Sequence, residues 1–243
     1  MARKSHPGAS AGVGMEGYSR YAVYWAPEPG PLADWAASWL GWDPAEGVEL
    51  PHPDVADLPL SVAELTATPR KYGFHGTLKP PFHLADGADV STLHEMLVAL
   101  AGQLSPVSTP GLALHRLGGF VALTPESDTA PLAALAAQIV EALDGFRAPP
   151  TAAEIARRRP ERLTPRQRAY LDRWGYPYVM EEFRFHLTLT GDLAPGVAQA
   201  VADRLAPLLH PLLSRPFDIR SICLFGQGAD GRFRLLDRYP LTG

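Results

Sequence analysis

Phe74-His75-Gly76-Thr77-Leu78 has a counterpart far downstream, Phe185-His186-Leu187-Thr188-Leu189, with the two histidines 111 positions apart. Each is a Phe, then His-x-Thr, then Leu. In an extended strand residues i and i+2 share a face, so each histidine shares its face with its own threonine. Two such strands side by side gather two imidazoles and two hydroxyls around one small volume. The same parity adds Arg184 and Thr190 to the face of His186, and Lys79 to that of His75 if the strand persists to Pro80.

Outward from these stretches, the pattern predicts a strand over 21–25, stopped by Pro27, Pro29 and Pro31. A helix follows over 32–40, where Leu32, Trp35, Ala36, Trp39 and Leu40 recur at helical spacing before Gly41. Ser61-x-x-Glu64 is a capping box opening a short helix near 61–66. The first motif strand spans about 73–78 and ends at Pro80-Pro81. A helix over 90–104 is capped by Asp89 or Ser91, a hairpin over 112–123 turns at Gly118-Gly119, and a helix covers 131–143. The second motif strand spans 183–190, followed by a helix over 197–209 and strands over 217–225 and 232–237.

The order strand, helix, His-strand, helix, hairpin strands thus occurs twice. Val23 and Val121 are 98 positions apart, and the excess in the motif spacing falls in an insertion at about 147–180. We therefore expect an α+β fold that is bilobal and duplicated, with two-lobe antiparallel sheets, flanking helices and a central cleft. It would be a single domain over 20–243, with pseudo-symmetric halves at about 20–117 and 118–243, behind a flexible Gly/Ser-rich tail at 1–19.

Of the 243 residues 46% are hydrophobic and 20% charged, which excludes a disordered or fibrous chain. The net charge of −4 gives nothing global to attract a long nucleic acid or an anionic membrane. Cys223 is the only cysteine, which excludes an internal disulfide and a thiolate cage; it reads as a small buried hydrophobe. No apolar run approaches 18 residues and no apolar stretch follows Arg3 and Lys4, so a cytoplasmic protein without a membrane partner is expected. The other histidines are scattered, with no His-x-x-x-His and no dense carboxylate cluster, so neither a metal nor another cofactor is expected. No Gly-x-Ser-x-Gly elbow marks a serine hydrolase.

A single His-x-Thr carries little weight, but two in matching contexts at equivalent points of a repeated layout carry much more. Imidazole titrates near pH ~6.5, so a pair can hold one neutral and one protonated member. Metal-independent cleavage of a phosphodiester needs that combination: one histidine takes a proton and the other gives one to the leaving oxygen. His75 and His186 are the candidate catalytic pair. Thr77 and Thr188 can donate to phosphate oxygens, with Arg184 and Lys79 as candidate positive partners. Arg157–Arg159, Arg173 and the Trp174, Tyr176, Tyr178 set form either a lid for a nucleoside or sugar phosphate or a solvated basic helix with a packed aromatic turn. Tyr72, Thr190, Tyr176 and Tyr178 are candidate substrate contacts.

The paired His-x-Thr strands in a duplicated α+β chain resemble the two-histidine phosphoesterase superfamily, which includes RNA ligase-like and cyclic phosphodiesterase enzymes. More narrowly, Arg70-Lys71-Tyr72-Gly73-Phe74-His75-Gly76-Thr77-Leu78-Lys79-Pro80-Pro81-Phe82 looks like the first signature of a bacterial branch of unknown function associated with phosphonate metabolism. Phe146-Arg147-Ala148-Pro149, Trp174-Gly175-Tyr176-Pro177-Tyr178 and the stretch from Phe183 to Gly191 are similar to its other signatures. The resemblance implies a bilobal fold, catalysis by His75 and His186, and phosphate contacts from Thr77 and Thr188. It also implies a small substrate in carbon–phosphorus bond metabolism, where ribosyl cyclic phosphates arise. Gly76 and His83 look like variable positions without bearing on the catalytic pair. Two alternatives stand beside this reading: a 2′,3′-cyclic nucleotide or RNA-terminus phosphodiesterase or ligase-like enzyme, and a non-catalytic nucleotide- or RNA-binding module. Which histidine is acid and which is base stays open.

Overall fold

A computed structural model describes residues 14–127 and 129–243. Its strands are β1 (Arg20–Trp25), β2 (Trp42–Asp43), β3 (Val48–Glu49), β4 (Gly76–Phe82), β5 (Val107–Thr109), β6 (Leu112–Leu117), β7 (Phe120–Pro125), β8 (Leu187–Thr188), β9 (Phe217–Ile219), β10 (Ser221–Gln227) and β11 (Phe233–Pro240). Its helices are α1 (Pro31–Leu40), α2 (Val62–Leu65), α3 (Val90–Ala101), α4 (Ala130–Ala142), α5 (Ala152–Arg157), α6 (Pro165–Trp174) and α7 (Pro195–Leu209). The class is α+β, with antiparallel sheets and flanking helices, as expected.

Seven strands form one antiparallel sheet in the order β11-β10-β1-β4-β8-β7-β6. The two motif strands are neighbours at its middle, joined by a single residue pair, Gly76 with Leu187. Outward from this seam lie β1 and β7, then β10 and β6, with β11 added on one edge. The two expected half-sheets therefore meet edge to edge in one continuous sheet. Each sequence half places one hairpin strand beside the first strand of the other: β6 on β7, and β10 on β1. β5 and β9 pair separately.

Alternation along β1 separates the two faces of the sheet. Tyr21, Val23 and Trp25 join the main core, where Leu78, Leu123, Leu187 and Leu224 meet Leu93 and Leu97 of α3, Leu135 and Ile139 of α4, and Val201 and Leu205 of α7. Ala22 and Tyr24 face the other way, with Cys223, Phe225 and Phe233. The cleft is on this second face. The buried Trp39 indole of α1 donates to the Leu189 carbonyl at 2.8 Å, tying that helix to the end of the second motif.

Two boundaries differ from the sequence expectation. β4 continues through Pro80-Pro81, because irregular pairing with β1 there makes no demand for the missing N–H groups. β8 has ladder pairing only at Leu187–Thr188, although burial still alternates through Phe183, Phe185, Leu187 and Leu189. Of the expected flexible tail, 1–13 lies outside the described residues. The rest is docked: the Ser19 amide donates to the Gln227 carbonyl at 2.9 Å, extending the edge of β1, and the Tyr21 hydroxyl donates to the Met15 carbonyl at 2.9 Å. Among the described residues no helix is long and apolar enough to cross a membrane.

Candidate active site at the seam between the motif strands

The Gly76–Leu187 pairing sets the geometry. One step either way along an antiparallel pair puts His75 across from Thr188 and Thr77 across from His186. Side chains opposite one another in such a pair have Cβ atoms about 4.5–5.5 Å apart. Each imidazole therefore stands opposite the other motif's hydroxyl, in a square of alternating function. A cavity of about 300 Å³ opens over this square, lined by His75, Thr77 and Thr188 together with Tyr24, Tyr72, Phe120, Arg158, Tyr176, Thr190 and Asp192. His186 adjoins it through Phe120, with ring centroids 5.7 Å apart.

The two histidines are held in the same way. His75 Nδ1 lies 2.9 Å from the Gly73 carbonyl and His186 Nδ1 lies 2.8 Å from the Arg184 carbonyl, each two residues back along its own strand. A carbonyl only accepts, so Nδ1 carries the proton in both rings and Nε2 is left for chemistry. Burial pushes the His75 pKa down to about 4, against the hydrogen bond to Gly73, which raises it; the charge of His186 adds to the lowering. His75 is thus a neutral imidazole at neutral pH. The hydroxyls of Thr77 and Thr188 have no hydrogen-bond partner among the described residues.

Tyr24 is a site residue that sequence reasoning missed. Its ring stacks on His75 with centroids 3.9 Å apart and planes at 26°, and it pairs with Thr77 across β1 and β4. The sequence showed it only as part of a β-type run; the register that puts it beneath His75 is a long-range property.

Gly76 was read as variable, and the structure corrects this. A Cβ there would lie 2.5 Å from the Phe185 ring, so only glycine lets the two motif strands close. Lys79 was expected at the phosphate and is not there. Its side chain is 2% exposed, with Nζ donating to the Val140 carbonyl at 3.2 Å and lying 5.2 Å from the Phe82 ring centroid. The reason is a bulge: Tyr24 pairs with Thr77 and Val23 with Lys79, so one step on β1 answers two on β4 and the parity flips. Burial lowers the Lys79 pKa to about 8.

Arg184 also misses the cavity. It is exposed, and its guanidinium donates to the carbonyls of Glu181 at 2.9 Å and Phe183 at 2.7 Å, because the chain before β8 curls through a 3-10 turn at Met180–Glu182. Tyr178 is 45% exposed and touches Tyr176 from outside, ring centroids 5.6 Å apart. Thr190 lines the cavity, but its hydroxyl accepts from the Val121 amide and donates to the Gly191 carbonyl, both at 2.9 Å. Tyr72 and Tyr176 do line it. Arg158, one of three consecutive arginines in the sequence, brings to the cavity the positive charge that Arg184 and Lys79 do not.

The insertion that carries Arg158 and Tyr176 is folded by local signals. Thr151 with Glu154 and Thr164 with Gln167 are capping boxes that open α5 and α6. Arg147 ties its two ends together, pairing with Asp144 at 2.8 Å and donating to the Arg173 carbonyl at 3.0 Å. Among the described residues there is no group of three or more His, Cys, Asp or Glu able to hold a metal ion.

Residues 77–234 match the family described as "Protein of unknown function (DUF1045)". Two curated relatives are named ribose 1,5-bisphosphate phosphokinase PhnN. The one from Janthinobacterium sp. (strain Marseille) is 37% identical over 191 residues, 78% of this chain and 42% of its own length. The one from Laribacter hongkongensis (strain HLHK9) is 38% identical over 204 residues, 79% of this chain and 46% of its own length. The chain thus spans less than half the length of these relatives. Among solved structures, E. coli LigT complexed with 3′-AMP is similar at 16% identity and a TM-score of 0.42, covering 92% of this chain and 98% of that one. The NADP+ complex gives 15% identity and a TM-score of 0.43, covering 94% and 100%. The family match takes in well over half of the chain, from Thr77 of β4 to Arg234 of β11, and so the chain belongs to this DUF1045 family of unknown function.

Proposed function

We propose that the chain is a metal-independent phosphodiesterase that opens a small cyclic phosphodiester by acid–base catalysis. The observation carrying this reading is the alternating square of His75, Thr188, His186 and Thr77 across the Gly76–Leu187 pairing, with both Nε2 atoms left for chemistry. His75, neutral because its pKa is held near 4, takes a proton from water as the water oxygen bonds to phosphorus. The bond from phosphorus to the leaving oxygen breaks, and protonated His186 gives that oxygen its proton. Thr77 and Thr188 donate to the non-bridging oxygens, whose charge builds in the transition state. The product is a phosphate monoester with a freed hydroxyl, and proton exchange with solvent resets the pair.

A ribosyl cyclic phosphate is the substrate we favour. A cavity of about 300 Å³ suits a sugar phosphate and not a polymer. The relatives' name also refers to a phosphorylated ribose, the kind of product that opening a ribosyl 1,2-cyclic phosphate would leave. The matched strand order on either side of the seam supports an internal duplication at about 20–117 and 118–243. The test is to offer the purified protein, in EDTA, ribosyl 1,2-cyclic phosphate and a panel of 2′,3′-cyclic nucleotides. Cleavage is expected, and either His75→Ala or His186→Ala should lower kcat by about 10²–10⁴-fold. No cleavage of any diester would sink the enzyme; full activity in both variants would sink the mechanism.

A further inference from the structure

The chemical square uses no guanidinium, yet the cavity has one. Arg158, at the end of α5, lines it with its guanidinium carbon 4.6 Å from the Tyr176 ring centroid. Its guanidinium makes no ion pair or hydrogen bond among the described residues, and of the insertion's arginines it is the one that lines the cavity. An aromatic ring against the flat face of a guanidinium leaves its N–H edge free and fixes its plane, the arrangement suited to bidentate recognition of phosphate.

The cavity lining carries both charges. Arg158 and Tyr176 are close to Tyr72 and Tyr24, whose rings pack on His75. Asp192 also lines the cavity, near Phe120 and His186: a Cβ on Gly119 would collide with its carboxylate. Its carboxylate has no partner either among the described residues. A carboxylate repels phosphate and accepts from hydroxyls. Arg158 therefore suits a second anion and Asp192 a sugar's hydroxyl groups.

We infer that Arg158, braced by Tyr176, is a second anion subsite that reads a phosphate monoester on the substrate, apart from the diester being cleaved. This deepens the phosphodiesterase reading and rests on it for the identity of the first phosphate. The substrate class is then a phosphorylated sugar cyclic phosphate: the monoester on Arg158, the cyclic diester over the histidines, and free hydroxyls toward Asp192.

Binding and cleavage separate this inference from the reading beneath it. The ligands are ribosyl 1,2-cyclic phosphate with a 5-phosphate and the same compound with a free 5-hydroxyl. Calorimetry on the His186→Ala chain, whose turnover should be about 10²–10⁴-fold slower, should show the 5-phosphate form binding about 10–100-fold tighter. Adding Arg158→Gln should bring the two ligands within about threefold of each other, while Arg158→Lys keeps part of the preference. Arg158 is exposed, so these substitutions leave the core untouched. A preference that survives Arg158→Gln, equal affinity for both ligands, or binding of neither would overturn the subsite. Cleavage of neither ligand by the unaltered chain would instead overturn the phosphodiesterase reading, with the binding comparison still deciding the subsite.

Discussion

His75 is the group whose ionisation governs the chemistry. Its pKa is lowered to about 4, so the acid limb of kcat/KM should be centred near pH 4 and not near 6.5. A limb at 6.5 would remove His75 from the role of base. Stability should move the same way: the unfolded histidine takes its proton near pH ~6.5, the folded one only near 4. Its contribution is whole above pH ~6.5 and is lost as pH falls toward 4; His75→Phe should flatten that part of a plot of melting temperature against pH. Lys79 makes the opposite prediction from the one its place in the motif invited. Lys79→Met should leave kcat/KM within about twofold and not lower the melting temperature, since it replaces a buried cation with an apolar chain of similar length. The imidazoles and threonines were legible because they lie within three residues of each other on each strand. Lys79 was not, because a bulge of one residue reverses parity and leaves no mark in composition.

At the scale of elements, the seam between β4 and β8 depends on Gly76. Gly76→Ala places a Cβ 2.5 Å from the Phe185 ring, and should cost about 1–3 kcal/mol in denaturant unfolding and depress kcat by spreading the histidines. Phe185→Leu in the same chain should recover part of both losses, which a double-mutant cycle would register. No recovery would mean that the backbone, and not the ring, is the obstacle. The insertion depends on Arg147, which spans its two ends. Arg147→Ala should raise KM while kcat changes little, because it loosens the Arg158–Tyr176 wall and leaves the square alone. The helices outside the insertion and the Ser61–Glu64 capping box were legible in the sequence; α5 with its Thr151–Glu154 box was not. Tyr24 was not, since what brings it to His75 is pairing between strands some fifty residues apart.

Over the whole molecule, the repeated order of strand, helix and His-strand foretold that the motif strands would be neighbours. It did not foretell one continuous sheet, because a repeat read along the chain says nothing about which edge receives the hairpin strands of each half. That exchange has a consequence for how the protein can be assembled. Cut at the Gly118-Gly119 turn, the first fragment keeps β6 without its partner β7, and the second keeps β10 without β1. Each piece then presents bare strand edges, β4 among them, that the other piece is shaped to cover. The gene should therefore behave as a natural split reporter: either fragment inert and prone to aggregate alone, the two together restoring a single cleft by mutual strand donation.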